Sequence, residues 1–537
     1  MIIGNALRRV ARVYPDKVAV IDKFGKYWPV SSRYTYKEVS DIVNRLANRL
    51  LSLGLEKGDR VALLSGTKMG FYLSYLAIVN AGLVVVPSNV LFGGKGREFI
   101  HIINDSGARA LIVDGDVFQA EVKDILLEVG SLEHIIGMGE GHCCQYDWET
   151  FVQDGAPNAP DVRIDDEDLA MLLYTSGTTG LPKGAMLTHK NVCTQAYTWA
   201  AEYRILPHYK FLIVIPSATS GGIGLQTICA LRGMTLVLTD FEPQKVLEII
   251  QQEKIDSTMF APTMIARIVR LTNATEYDCS SLKSVITSTA PISAELVKEA
   301  SKIFGDVINL LFGTTETGLL ATFLQPEERA LKGPLSRRLT SVGKANLGYE
   351  VRVVDDNGNE VKPGGGVVGE LLIKGDPVAT GYWNTPDAPD FKDGWWYSGD
   401  LASVDEDGYI YIMDRKKDMI LSGGLNIYAR EVEDVISSHP SAHLVAVIGV
   451  PDEEWGEAVK AVIVPKEGAK PTEEEIIDFC KDRLASYKKP KSVDFISISE
   501  MPLMGGGYKV LKRELRDKYR KKHMEQKGVK EERWGVV

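Results

Sequence analysis

Helical spacing of apolar residues alternates with short unbroken apolar runs along the first part of the chain. Val39, Ile42, Val43, Leu46 and Leu50 recur every three or four positions behind Thr35-Tyr36-Lys37-Glu38, which has the form of a capping box, and Gly54 supplies a stop. A helix is expected over about 35–54. Residues 60–64 read as a strand, 68–81 as a second helix and Leu83-Val84-Val85-Val86 as a buried strand. The same alternation returns later, with strands at 169–174, 283–286 and 307–311, a helix capped by Thr188 that runs to Tyr203, and another over 294–304. Helices between short apolar strands imply parallel sheets with covered faces. From 342 to 412 the strands shorten and turns such as Asp355-Asp356-Asn357-Gly358 and Asp405-Glu406-Asp407-Gly408 separate them, which predicts a β-rich part. After Arg415 helix and strand alternate again in a more charged segment. The expected fold is multidomain α/β: a large domain, 1–414, of two parallel-sheet α/β subdomains plus the β-rich part at about 342–412, then a small α+β C-terminal domain, 415–537.

Composition narrows the function. A chain of 537 residues exceeds one domain, and 45% hydrophobic with 25% charged residues is ordinary for a soluble globular protein. The net charge of −10 argues against nonspecific nucleic-acid binding and leaves a local cationic pocket open. Six cysteines form no C-x-x-C pair, so a reducing compartment fits. Arg8, Arg9, Arg12, Asp16 and Lys17 interrupt any secretory core, the apolar run over 71–86 contains Asn80 and is short for a membrane span, and Gly535-Val536-Val537 matches no peroxisomal or prenylation signal. The expectation is a cytoplasmic protein with no membrane insertion and no nucleic-acid partner, a homodimer being the default assembly.

Chemistry concentrates in Tyr174-Thr175-Ser176-Gly177-Thr178-Thr179-Gly180-Leu181-Pro182-Lys183-Gly184-Ala185. Three glycines let backbone N–H groups converge, the hydroxyls add donors and Lys183 adds charge: a phosphate cradle at the end of a strand, where ligands bind in open α/β sheets. A nucleotide-kinase P-loop fails, because Pro182 separates Gly180 from Lys183 and Gly184 follows the lysine. A nucleophile elbow also fails, since Ser176 lies between Tyr174 and Thr178 rather than between glycines two residues away.

The segment resembles the signature of the adenylate-forming (AMP-binding) superfamily, which includes acyl-CoA synthetases, luciferases and peptide-synthetase adenylation domains. Further blocks in family order extend the resemblance over nearly the whole chain. Thr289-Ala290-Pro291 stands where the family lays a loop along adenosine. Phe312-Gly313-Thr314-Thr315-Glu316 resembles the block whose aromatic packs on adenine, whose threonine meets the α-phosphate and whose glutamate ligates Mg²⁺. Asp400, after Tyr397-Ser398-Gly399, matches the ribose-binding aspartate; Arg415 matches the ribose- and phosphate-side arginine, and Lys417 the hinge of a mobile C-terminal lid. Ser422, Gly423 and Gly424 are similar to the loop beside the CoA channel, with Ala429 replacing a family proline. Lys509 takes the place of the lysine that binds carboxylate and α-phosphate, although Tyr508 adds one residue before it, to be absorbed by Gly505 to Gly507; Lys512 is the rival.

The resemblance implies an acyl-CoA synthetase, an acid–thiol ligase using ATP, Mg²⁺ and coenzyme A. Its nucleotide-binding residues would be Thr175, Ser176, Gly177, Thr178, Thr179, Gly180, Lys183, Thr289, Ala290, Pro291, Phe312, Gly313, Thr314, Thr315, Asp400, Arg415 and Lys509, with Lys509, Thr315 and Lys183 acting in catalysis and Glu316 on the metal. Thr219, Ser220, Gly221, Gly222 and Leu311 would line the acyl site. Pro216-Ser217-Ala218-Thr219 lacks the bulky residues common there, and Leu311 replaces a frequent glycine, so an aromatic or short-to-medium acid is expected. Other readings are an acyl-AMP ligase that loads a carrier protein, a luciferase, and a nonenzymatic AMP-binding module. A peptide-synthetase domain needs an acid for the substrate amine, and 217–224 contains none.

Overall fold

The Thr35 capping box forms as the pattern dictates. The Thr35 hydroxyl accepts from the Glu38 amide, the Glu38 carboxylate accepts from the Thr35 amide, and the helix Tyr36–Ser52 buries Val39, Val43, Leu46, Ala47 and Leu50. Thr188 and Asn191 cap the helix His189–Glu202 in the same reciprocal way. The structure, a computed structural model, describes residues 1–537 except 24–31, 67, 89–96, 119–121, 124–127, 140, 141, 143, 176–180, 289, 291, 504–509 and 528–537. Of the sequence-predicted site, Ser176, Gly177, Thr178, Thr179, Gly180, Thr289, Pro291 and Lys509 lie outside the described residues.

The result is a mixed α/β fold. One seven-stranded sheet has the order Tyr146–Asp147, His134–Met138, Ala110–Asp114, Arg60–Leu64, Val84–Ser88, Leu169–Thr175, Lys183–Thr188. Its strands run parallel up to Leu169–Thr175, and the helix Met69–Asn80 that joins two of them is buried on every side. A nine-stranded sheet has a parallel centre that includes Lys210–Ile213, Ser257–Phe260, Ser284–Thr287 and Ile308–Phe312. The expectation of parallel strands holds in these interiors and fails at the edges. Lys183–Thr188 folds back antiparallel on Leu169–Thr175, and Thr322–Leu324 on Ile308–Phe312. Lys183 therefore heads a strand, paired with Thr175, rather than sitting within a turn. The β-rich part forms a five-stranded sheet that includes Gly369–Lys374, Trp395–Val404 and Ile410–Arg415.

By compactness the chain divides into one unit of Met1–Val351 with Leu372–Tyr397 and a second of Arg352–Leu371 with Ser398–Val537. In the second, the strands Ala442–Asp452 and Gly456–Pro465 alternate their side chains between two cores, as the period of a strand requires. Val447, Val459, Ala461 and Ile463 meet the helices Ala429–Ser437 and Glu473–Lys481, whereas Ala446, Ile448, Val462 and Val464 meet Leu515 and Tyr519 of the helix Lys512–Lys527.

A buried titratable group sets an acid limit on stability. His189 is fully buried, its Nδ1 accepts from the Ile3 amide at 3.4 Å, and burial pushes its pKa down to about 4. In an unfolded chain the same group titrates near about 6.5. The unfolded state therefore binds the extra proton as pH falls from about 6.5 to 4, and stability is lost across that window by up to about 3 kcal/mol. His189→Gln is expected to flatten this part of the profile, measured as urea midpoints at pH 7 and 5; an unchanged slope would reject the assignment.

Candidate active site

The larger unit holds Lys183, Thr315 and Glu316, which the sequence assigned to phosphate and metal. After the strand Ile308–Phe312 the chain tightens into a single 3₁₀ turn at Thr315–Thr317, fixed by the Thr314 amide donating to the Thr317 hydroxyl at 2.9 Å and the Leu319 amide to the Thr314 carbonyl at 2.9 Å. Gly313 has no alternative there, since a Cβ would lie 2.2 Å from the Leu319 carbonyl carbon. The turn delivers Glu316 into the interior at 6% exposure, where Tyr382 donates its phenol to Oε1 at 2.7 Å and the Ala379 amide donates to the Glu316 carbonyl at 2.7 Å. Lys183 Nζ stands 2.9 Å from Asp390 Oδ2 and 4.9 Å from the centre of the Tyr382 ring.

Thr315 lies 3.3 Å, hydroxyl to hydroxyl, from Ser220 at the start of the helix Ser220–Arg232. Phosphate and acyl candidates thus share one corner of this unit. Thr219 is the cap of that helix: its hydroxyl accepts from the Gly222 amide at 3.1 Å and donates to the Pro216 carbonyl at 2.7 Å. The small residues beside it leave little room of their own. A Cβ on Gly221 would meet Leu319 Cδ1 at 2.8 Å, and one on Gly222 the Pro216 carbonyl oxygen at 2.2 Å. Leu311 is buried and pairs with Phe323, and Ala290 is half-buried beyond the end of the strand Ser284–Thr287.

The second unit carries Asp400, Arg415, Lys417 and the glycine pair. Asp400 and Arg415 face each other across two antiparallel strands, and Arg415 Nε lies 2.7 Å from Asp400 Oδ1. Asp400 is 3% exposed. Glu370 steadies the same bend by accepting from the Gly399 amide at 3.3 Å and from Lys416 Nζ at 2.8 Å. Ser422 pairs with Leu425 at the end of a hairpin whose two turn residues, Gly423 and Gly424, have φ of 58° and 79°. Positive φ at both positions is what a type I′ turn demands and what glycine supplies. Gly423 is doubly constrained, because a Cβ would lie 2.5 Å from the Trp455 ring.

Comparison with known proteins gives the family. The family model described as AMP-binding enzyme matches residues 7–383, and that described as AMP-binding enzyme C-terminal domain matches 431–522. The chain belongs to the AMP-binding enzyme family. It is 34% identical over 523 residues to a feruloyl-CoA synthase of Amycolatopsis sp., covering 96% of this chain and 99% of the relative. With a long-chain-fatty-acid–CoA ligase of Mycobacterium tuberculosis it shares 32% identity over 524 residues, 96% of this chain and 98% of the other. Among solved structures, an anthranilate CoA ligase in complex with anthranoyl-AMP superposes with a TM-score of 0.86 at 27% identity, covering 97% and 98% of the two chains.

This AMP-binding enzyme is accordingly an acyl-CoA synthetase, an acid–thiol ligase whose family substrates are a carboxylic acid, ATP and coenzyme A. Sequence reasoning missed Tyr382, Asp390 and Glu370. Lys183 and Asp390 are separated by 207 positions, so no local spacing points from one to the other. The available signal was the aromatic pair Tyr382-Trp383 between turn residues, which reads equally well as surface. No helix among the described residues is long and apolar enough to cross a membrane.

Proposed function

We propose that this acyl-CoA synthetase activates an aromatic or short-to-medium-chain carboxylic acid, with Lys183, Thr315 and Lys509 acting on the phosphates and Glu316 holding Mg²⁺. In the first half-reaction a carboxylate oxygen attacks the α-phosphorus of ATP; the new O–P bond forms as the bond to pyrophosphate breaks. In the second, the CoA thiol attacks the acyl carbon, loses its proton, and AMP departs. Neither step needs a covalent enzyme intermediate, so the enzyme's contribution is positioning and charge stabilisation. Lys183 receives the departing pyrophosphate, Thr315 donates to the α-phosphate, and Asp400 and Arg415 take the ribose.

The observation that carries this reading is the buried Glu316 carboxylate, oriented by Tyr382 in the same corner as Lys183. A carboxylate is a hard oxygen donor of the kind magnesium takes. When bound, the ion supplies neutralisation of phosphate charge.

The acyl preference rests on the buried Leu311 and on the likeness to the feruloyl-CoA synthase. A panel of acids assayed for pyrophosphate release is expected to favour cinnamate-like or medium-chain acids over palmitate by about tenfold or more, the scale on which pocket size discriminates. Preference for palmitate would refute it. Thioester formation only with a carrier protein, and not with CoA, would favour the carrier-loading reading. A cytoplasmic setting accords with the buried free thiols of Cys193, Cys229, Cys279 and Cys480, and a homodimer is the assembly we assign by default.

A further inference from the structure

Tyr382 is the side chain that touches both ends of the phosphate corner. Its hydroxyl donates to Glu316 Oε1 at 2.7 Å, and its ring lies 4.9 Å from Lys183 Nζ, within the range in which an ammonium is attracted to an aromatic face. The residue itself is held from three directions. Its backbone bridges to Ala185 on the outer edge of the strand Lys183–Thr188, flanked by bonds from the Met186 amide to the Gly381 carbonyl at 3.0 Å and from the Trp383 amide to the Gly184 carbonyl at 2.8 Å. The Phe391 ring meets it edge to face at 5.3 Å, and Tyr382 is left 6% exposed. Ala379, three residues earlier, holds the Glu316 main chain. One short segment therefore reads the position of the glutamate, by main chain and side chain, and of the strand that begins with the lysine.

Asp390 completes the arrangement from the other side. At 2.9 Å from Lys183 Nζ it balances the charge that a pyrophosphate would otherwise meet, and its own carbonyl accepts from the Tyr397 amide at 2.8 Å. Both partners of this pair are about one-third exposed, so phosphate oxygens reach the ammonium by replacing a carboxylate that is not locked in the core.

The geometry points to Tyr382 as a positioning residue that fixes Glu316 and Lys183 relative to each other, and to Asp390 as the resident counter-ion that Lys183 exchanges for substrate phosphate. This rests on the reading of Glu316 as the magnesium residue and Lys183 as the pyrophosphate residue. By occupying Oε1, the phenol presents the carboxylate in one orientation; groups that orient metal-binding side chains in this way commonly contribute about 10- to 100-fold in metal affinity or activity.

Three variants separate the claims, each first checked by thermal melting and read by Mn²⁺ binding to the enzyme–ATP complex through water-proton relaxation, with KM and kcat measured alongside. Tyr382→Phe, which keeps the ring, is expected to weaken Mn²⁺ binding about 10- to 100-fold at unchanged melting temperature and unchanged KM for the acid. Asp390→Asn is expected to tighten ATP and strengthen inhibition by pyrophosphate. Glu316→Gln tests the underlying reading: if it leaves Mn²⁺ binding intact, the magnesium assignment fails and the role of Tyr382 fails with it. If Glu316→Gln weakens Mn²⁺ and Tyr382→Phe does not, the present inference alone is overturned. Looser ATP binding in Asp390→Asn overturns the counter-ion role.

Discussion

Replacing Lys509 with alanine is expected to stop formation of acyl-AMP while leaving thioester formation from supplied acyl-AMP close to that of the unaltered enzyme. Removing one preorganised donor from a developing oxyanion costs about 100- to 1,000-fold, and a full cation at the α-phosphate belongs at the upper end. What supports Lys509 over its rival is the fate of Lys512. That side chain begins the helix Lys512–Lys527 and its Nζ lies 2.8 Å from the half-buried Glu433. Burial pushes the Lys512 pKa down, but Glu433, Asp414 and Asp418 push it up by more, so its charge is committed within the second unit. Lys512→Met would strand the Glu433 carboxylate and is expected to lower stability, damaging both half-reactions alike. On either side of residues 504–509, Leu503 pairs with Val510, the Leu511 amide donates to the Pro502 carbonyl at 2.9 Å, and both paired residues pack on the core of Met501, Leu515 and Tyr519. Single-turnover assays of each half-reaction decide the matter. Equal loss of both in Lys509→Ala, or selective loss of adenylation in a fully stable Lys512→Met, would reverse the assignment.

Local grammar was legible where local energetics decide structure. The helix Tyr36–Ser52 follows from a cap that satisfies two backbone donors and from a 3.6-residue stripe, neither of which needs a distant partner. The helix Ala294–Phe304 falls where spacing placed it for the same reason. The strand Lys183–Thr188 was hidden because its first residues belong to a glycine-rich motif, and pairing with Leu169–Thr175 outweighs the turn propensity of Gly184. Packing gives a further reason for glycine there, since a Cβ at 184 would sit 2.9 Å from the Tyr174 ring.

The site was legible by its motif residues and illegible in what holds them. Glu316 and Lys183 announced themselves by their neighbours in sequence, whereas Tyr382 and Asp390 act on them across the fold. The acyl corner shows the same limit from the other side. Gly221 and Gly222 read as lining of the acyl site, yet a Cβ on either would collide with Leu319, whose φ is 65°, or with the Pro216 carbonyl, so glycine there makes room for neighbours. Small residues in a sequence report close approach without naming what approaches.

Lys417→Pro is expected to produce the opposite defect from Lys509→Ala: acyl-AMP still forms, and its transfer to CoA falls by about 100-fold or more. Lys417 is the third residue of a turn closed by the Asp418 amide donating to the Arg415 carbonyl at 2.9 Å. On the near side, Arg415 is tied to Asp400. Beyond the turn, Arg516 grips Asp418 at 2.6 Å and donates to the Lys417 carbonyl at 3.3 Å. A rotation of the following segment about this turn would use the dihedrals of 416–418 and would have to release the bond from Arg430 to the Ile412 carbonyl at 2.6 Å. Proline locks φ at 417 and narrows the choices of Lys416 before it, removing the range such a rotation needs. Lys417→Ala keeps that range and should retain both half-reactions. The proline variant, given ATP and acid, is expected to release a burst of pyrophosphate equal to the enzyme present and then stall with CoA added, while its acyl-AMP remains bound; loss of the burst itself would place the hinge elsewhere.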